Sequence, residues 1–201
     1  MIAAVILAAG ASSRMGSPKA LLPYGGETFV TRLIRVFSKE CAPVIVVTGY
    51  HADAIRLHVE TFSPAAVVVR NPIPERGQLS SLQTALHKLP EDAQGFLFAP
   101  VDCPSPAEET VAKITAAFRT RASDTQLVVP SYQEHHGHPV CASREIAEKL
   151  LALAPTATAR EVIHGHRAQT RYVAVNDPGI LIDVDDPAAY RKLTQPMERT
   201  T

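Results

Sequence analysis

At 201 residues the chain can bury a substantial core within one domain, and 46% hydrophobic against 20% charged residues is an ordinary globular balance. Lys plus Arg and Asp plus Glu number 20 each, so no net field draws nucleic acid or an anionic membrane. No apolar run approaches the roughly 20 residues that span a bilayer.

The opening MIAAVILAAG lacks the basic flank of a signal peptide and reads as a strand over residues 3–7. A helical pattern follows near 27–39, then a strand at 44–48, a helix at 52–61 and a strand at 66–70. Next come a helix near 79–89, a strand at 95–99, a helix near 107–121 and a strand at 126–130. Beyond Pro130, SYQEHHGHPVCAS reads as a loop or hairpin, followed by helices near 144–153 and 157–164. Short strands are expected at 170–175 and 179–184, a last helix at 187–193, and a polar, frayed tail after it. Strands apolar on both faces and separated by helices predict an α/β protein, a three-layer α/β/α sandwich with a mostly parallel sheet. One domain is expected over residues 1–201. The three cysteines, Cys41, Cys103 and Cys141, are scattered and odd in number, which points to a reducing, cytoplasmic compartment without structural disulfides.

Sheets of this kind hold ligands beyond the carboxyl ends of their strands, where the distinctive residues cluster. The loop AAGASSRMGSPKALLPYGG after the first strand carries two cations, Arg14 and Lys19, five residues apart. It suggests a phosphate cradle, yet it matches neither the G-x-x-x-x-G-K-[ST] nor the G-x-G-x-x-G pattern. Asp102 in FAPVDCPSP follows an apolar run; a carboxylate there suits a hard cation such as Mg²⁺, or else it caps a helix or sits solvated in a loop. In LIDVDDP, strand alternation puts Asp183 and Asp185 on one face with Val184 opposite, while Asp186 before Pro187 is placed to cap the final helix. Asp102 with one of that pair would form a two-carboxylate Mg²⁺ site. His135, His136 and His138, with His164 and His166, form a weak metal-ligand pattern and are read as a surface loop or a substrate-contacting loop. Cys103 is read as a small buried residue, and Leu79, Leu82 and Leu86 as core.

LAAGASSRMGSPK resembles the L-A-[AG]-G-x-x-x-R-[MF]-G-x-x-K signature of the MobA-like nucleotidyltransferases, a branch of the GT-A-type, Rossmann-like nucleotide-binding superfamily. RGQLSSLQTAL, PVDCP, HHGHPV and DVDDP follow in the order that this resemblance requires. Within that branch the chain is most similar to the molybdenum cofactor cytidylyltransferases.

The resemblance implies a Mg²⁺-dependent transfer of a cytidylyl group from CTP to molybdopterin, with release of pyrophosphate. The N-terminal half would bind the nucleotide and the C-terminal half the acceptor. It implies that the backbone of 7–10 (Leu7, Ala8, Ala9, Gly10) lines the base and that the turn 11–16 wraps the triphosphate. Arg14 and Lys19 would neutralise the phosphates, with Lys19 also stabilising charge as the α–β bond breaks. Asp102 would act in catalysis and share Mg²⁺ with Asp185, the better match to the family's ligand, Asp183 being the alternative. Gly77, Ser80 and Ser81 would complete the nucleotide site, the two hydroxyls reading a pyrimidine or else padding a helix N-terminus. Gly137 and His138 would contact the acceptor. LAAG and GQLSSL resemble the cytidylyl form, whereas guanylyl members usually carry LAGG. Enzyme alternatives are a guanylyltransferase for the same cofactor, using GTP, and a cytidylyltransferase for an isoprenoid-precursor or sugar phosphate. A carrier that delivers the cofactor to an apo-molybdoenzyme is the reading from another class.

Overall fold

The computed structural model describes residues 1–195; the tail expected to fray lies largely outside the described residues. In chain order the strands are β1 (Ile2–Ala8), β2 (Pro23–Tyr24), β3 (Glu27–Thr28), β4 (Val44–Thr48) and β5 (Val67–Arg70). They continue with β6 (Gly95–Pro100), β7 (Leu127–Tyr132), β8 (His135–His136), β9 (Val140–Ser143) and β10 (Thr170–Ala174). The helices are α1 (Phe29–Ser38), α2 (Ala52–Phe62), α3 (Gln78–Leu86), α4 (Glu108–Arg119), α5 (Arg144–Leu151), α6 (Ala159–Gly165) and α7 (Pro187–Thr194).

Eight strands form one sheet in the order β10-β7-β9-β6-β1-β4-β5, with β8 pairing β7 off that path. β1 lies at its heart, parallel to both β4 and β6. Every residue of β1 is buried, and its alternate side chains feed two different cores. Ile2, Ala4, Ile6 and Ala8 pack with residues of α1, α2 and α4, whereas Val5 and Leu7 pack with residues of α3 and α5. The period-2 geometry of a strand thus builds the sandwich directly: a helix layer on each face.

One local reading is extended and one changes in three dimensions. SYQEHHGHPVCAS forms the expected hairpin, Ser131 pairing with His136 and Tyr132 with His135. It also contributes a full member of the sheet, because β9 inserts between β6 and β7 and runs antiparallel to both. No strand forms at 179–184. Instead Pro178–Leu181 is a 3-10 turn: Pro178 lacks an N–H for a ladder, and the Asp177 side chain accepts from Gly179 N, which starts a turn. The chain beyond it is extended but unpaired, and Val184 N donates to the Asp102 carbonyl at 2.9 Å. The expected alternation survives without the ladder, since Val184 is fully buried while Asp183 and Asp185 are exposed. Asp186 caps α7, accepting from Ala189 N at 2.8 Å.

Candidate active site

The carboxyl ends of β1 and β6 and the loop after β5 converge on a cleft of about 230 Å³. Leu7, Ala8, Ala9, Gly10, Lys19, Gly77, Ser81 and Asp102, all expected from the sequence, line it. Ser12, inside the turn 11–16 expected to wrap the triphosphate, lines it as well, as does Gln78, and Pro18 and Pro74 join them without having been expected.

The opening loop is held by its own polar groups. Lys19 N donates to Ser12 Oγ at 3.0 Å, closing the loop just before the 3-10 turn Lys19–Leu21. From the start of α2, His51 Nε2 donates to the Ala11 carbonyl at 3.2 Å.

Lys19 stands between two carboxylates. Its Nζ donates to Asp102 Oδ2 and to Asp185 Oδ1, each at 2.9 Å, and its side chain is only 12% exposed. Burial alone would lower its pKa, but the hydrogen bonds and charges of Asp185 and Asp102 outweigh that and raise it. The same hydrogen bond, then the same charge, lowers the pKa of Asp185. Arg14 Nη2 lies 3.7 Å from Asp185 Oδ1. Asp183 differs: burial first, then the charges of Asp102 and Asp185, push its carboxyl above the usual range.

Asp102, Cys103 and Asp183 bring ligand atoms within 4.8 Å of one another. Cys103 is a poor partner for a hard cation, because a thiolate is a soft ligand, and burial, reinforced by Asp102, pushes its thiol up. The two remaining donors of that group, Asp102 and Asp183, are carboxylates, the hard ligands that a divalent cation such as Mg²⁺ or Mn²⁺ takes beside phosphate. Asp185 lies outside the group and joins Asp102 through Lys19. Of the alternatives for Asp102, the helix cap is ruled out: α4 starts from Ala107 and is capped from elsewhere. The histidines form no metal cluster among the described residues.

The two serines part company. Ser80 Oγ accepts from Asn71 Nδ2 at 2.8 Å and donates to the Gly77 carbonyl at 2.9 Å, and Ser80 does not line the cleft. Ser81 does line it, while accepting from Asn71 Nδ2 at 3.0 Å. Asn71 is buried and also accepts from Ile73 N through Oδ1, so one amide shapes the whole turn into α3. Asn71 was missed from sequence; its signal was a lone polar amide directly after a β-branched strand. Gly77 sits at φ 85° and ψ −165°, a region open essentially only to glycine, where it admits the chain into α3.

A second pocket of about 420 Å³ adjoins the first, and Gln78 lines both. Gly137 and His138, the expected acceptor residues, lie on its wall. Arg160, His164, Arg167 and His136 surround it, and among the described residues no acidic one does. Among the described residues neither Arg160 nor Arg167 has a carboxylate within salt-bridge distance, and no sequence motif had pointed to either. His138 packs edge-on against Phe98, and burial holds its pKa below the ordinary value. Gly137 also has a structural task, since a Cβ there would meet the Ile180 carbonyl oxygen at 2.0 Å.

Residues 4–171 match the MobA-like NTP transferase domain. A probable molybdenum cofactor guanylyltransferase of Rhodopirellula baltica is 35% identical over 62% of this chain, an alignment that spans 58% of that relative. The molybdenum cofactor cytidylyltransferase of Escherichia coli is 24% identical over 91% of this chain and 90% of its own length. Among solved structures, Rv0371c of Mycobacterium tuberculosis superposes with a TM-score of 0.81 at 29% identity, covering 98% of this chain and 99% of that one. A manganese complex of the same protein gives 0.79 at 28% identity, covering 96% and 97%. With its strand-end cleft, its two loop cations and its three carboxylates, this chain belongs to the MobA-like NTP transferase family of nucleotidyltransferases.

Proposed function

We propose that this protein is a Mg²⁺-dependent CTP:molybdopterin cytidylyltransferase that forms the cytosine dinucleotide and releases pyrophosphate. The observation that carries this reading is Lys19, in a cleft built from the ends of central strands, hydrogen-bonded at once to Asp102 of that cleft and to Asp185. Nucleotidyl transfer asks a protein mainly for in-line positioning and for neutralisation of charge on a triphosphate. Leu7, Ala8, Ala9, Gly10 and Gly77 offer backbone and small side chains to a base, and Arg14 and Lys19 offer charge to the phosphates. Ser81 supplies a hydroxyl on the cleft wall; Ser80 supports it through Asn71. Asp102 and Asp185, with Asp183 beside them, would hold the metal ion. When bound, that ion supplies charge neutralisation and orientation of phosphate oxygens. No general base is needed where the attacking acceptor phosphate is already ionised.

The acceptor, a phosphorylated small molecule, would occupy the pocket beside Gln78, with Gly137 and His138 at its wall. The unpaired Arg160 and Arg167 there suit an anion. This divides one domain between a nucleotide-binding N-terminal half and an acceptor-binding C-terminal half, working in the cytoplasm and passing product to an apo-molybdoenzyme. The Escherichia coli relative over nearly the whole chain supports the cytidylyl reading. Guanylyl transfer to the same acceptor is the second reading, favoured by the Rhodopirellula baltica relative. Pyrophosphate release with CTP and with GTP, each with and without molybdopterin and Mg²⁺, tests both. Release that needs CTP, acceptor and metal together is expected. Release with GTP alone replaces the first reading by the second, and no release with any nucleotide leaves only a carrier.

A further inference from the structure

Lys19 stands between the two carboxylates to which the proposed function gives the metal ion. Its Nζ is 2.9 Å from one oxygen of Asp102 and 2.9 Å from one oxygen of Asp185. An ion that took these same oxygens would compete with the ammonium already hydrogen-bonded to both. The two cations are alternatives for one pair of carboxylates. Arg14, 3.7 Å from the same Asp185 oxygen, adds to the repulsion that an incoming ion meets.

The Lys19 side chain can resolve this competition. Its backbone N–H is tied to Ser12 Oγ at 3.0 Å, and the turn that it begins is anchored by buried Ala20. The long, flexible stem can carry the ammonium from the carboxylates into the cleft that Ser12, Pro18 and Gly10 line. What would draw it there is a stronger anion. A polyphosphate in that cleft offers several charged oxygens to the ammonium and leaves the carboxylates to the ion it brings.

We propose that Lys19 is a built-in counter-cation, which keeps Asp102 and Asp185 closed to a divalent ion until a nucleoside triphosphate draws the ammonium away. This rests on the nucleotidyltransferase reading above and adds an order to it: metal enters with the nucleotide, and free metal binds poorly before it. The device also spares the protein an uncompensated cluster of carboxylates between turnovers.

Mn²⁺ alone is the probe, its free fraction read by electron paramagnetic resonance on the full chain without nucleotide. Wild type is compared with Lys19→Gln, with the charge-retaining Lys19→Arg, and with the double variant Lys19→Gln/Asp102→Asn. Thermal midpoints check that each is folded, and Lys19→Met replaces the glutamine variant if that one does not fold. Removing one ammonium from two carboxylates should tighten Mn²⁺ binding by about tenfold or more. Lys19→Arg should stay as weak as wild type, and the double variant should lose the gain. Equal affinity in wild type and Lys19→Gln overturns the proposal, as does a gain that survives Asp102→Asn. Metal-dependent pyrophosphate release by wild type is the separate check on the underlying reading. Where that release is present and the Mn²⁺ series is flat, the counter-cation alone is wrong.

Discussion

Asp102 contributes charge to the cleft and little to packing: its side chain is 25% exposed and its hydrogen-bond donor is the flexible Lys19. Asp102→Asn keeps the shape and removes the charge. Turnover should fall by about 10²-fold or more, as expected where one charged contact to the reacting phosphates is lost. Stability should change by no more than about 1 kcal/mol, since the ion pair is partly exposed. Steady-state pyrophosphate release and thermal melts check both, and an unchanged kcat at saturating Mg²⁺ removes Asp102 from the site. Asp185→Asn should behave alike; greater damage from Asp183→Asn would make Asp183 the ligand. His138 is a different kind of residue, a buried imidazole held neutral. Burial depresses its pKa below the ordinary 6.5, so as pH falls the unfolded chain takes up the proton first. Its contribution to stability is therefore complete above that ordinary value and shrinks as pH falls below it. Wild type should lose more thermal stability than His138→Gln between about pH 7.5 and about pH 5.5. Parallel losses in both proteins would place the acid sensitivity elsewhere.

At the scale of elements, Asp177 joins parts that the chain order keeps apart. The N-cap residue of α4 is Ala107, which has no side-chain oxygen of its own. Asp177 supplies it from across the fold, accepting from Ala107 N at 2.8 Å and from Thr110 Oγ1 at 2.7 Å. Its other oxygen accepts from Gly179 N at 2.9 Å and so starts the turn that leads towards Asp183 and Asp185. Removing this carboxylate strands three donors at a largely buried junction. Asp177→Ala should therefore destabilise by about 2–4 kcal/mol, well above a lone cap. Urea unfolding should show a lower midpoint with an unchanged slope. A loss no greater than that of a simple surface cap would mean that the turn holds without Asp177. Sequence reading gave helix α4 from its periodicity but not its cap, because the capping group lies 70 residues away.

At the scale of the whole molecule, the two segments to which the proposed function assigns base choice line one cleft because β1 and β5 end on the same side of the sheet. Exchanging Ala9 for Gly and residues 78–82 for a guanylyl-type loop should raise kcat/KM for GTP relative to CTP. Each buried polar group left unpaired by the wrong base costs about 1–3 kcal/mol, so the ratio should move by roughly tenfold or more. An unmoved ratio would place base choice outside these segments. The amino-acid sequence by itself determined the layered α/β plan, the five ordered motifs and the outward pairing of Asp183 and Asp185 around buried Val184. The layers and the Asp183–Asp185 pairing follow from periods of two and of 3.6 residues, which any short window carries, and the motifs were legible as a resemblance to a known family. Tertiary structure alone decided that β9 would run antiparallel inside the sheet, that Ser80 would turn to Asn71 while Ser81 faced the cleft, and that Arg160 and Arg167 would ring a second pocket. It alone set Lys19 between Asp102, 83 residues away, and Asp185, 166 residues away. The reason is physical: local periodicity says which face a side chain takes, but its partner across the chain is chosen only when the strands pair and their ends are brought together.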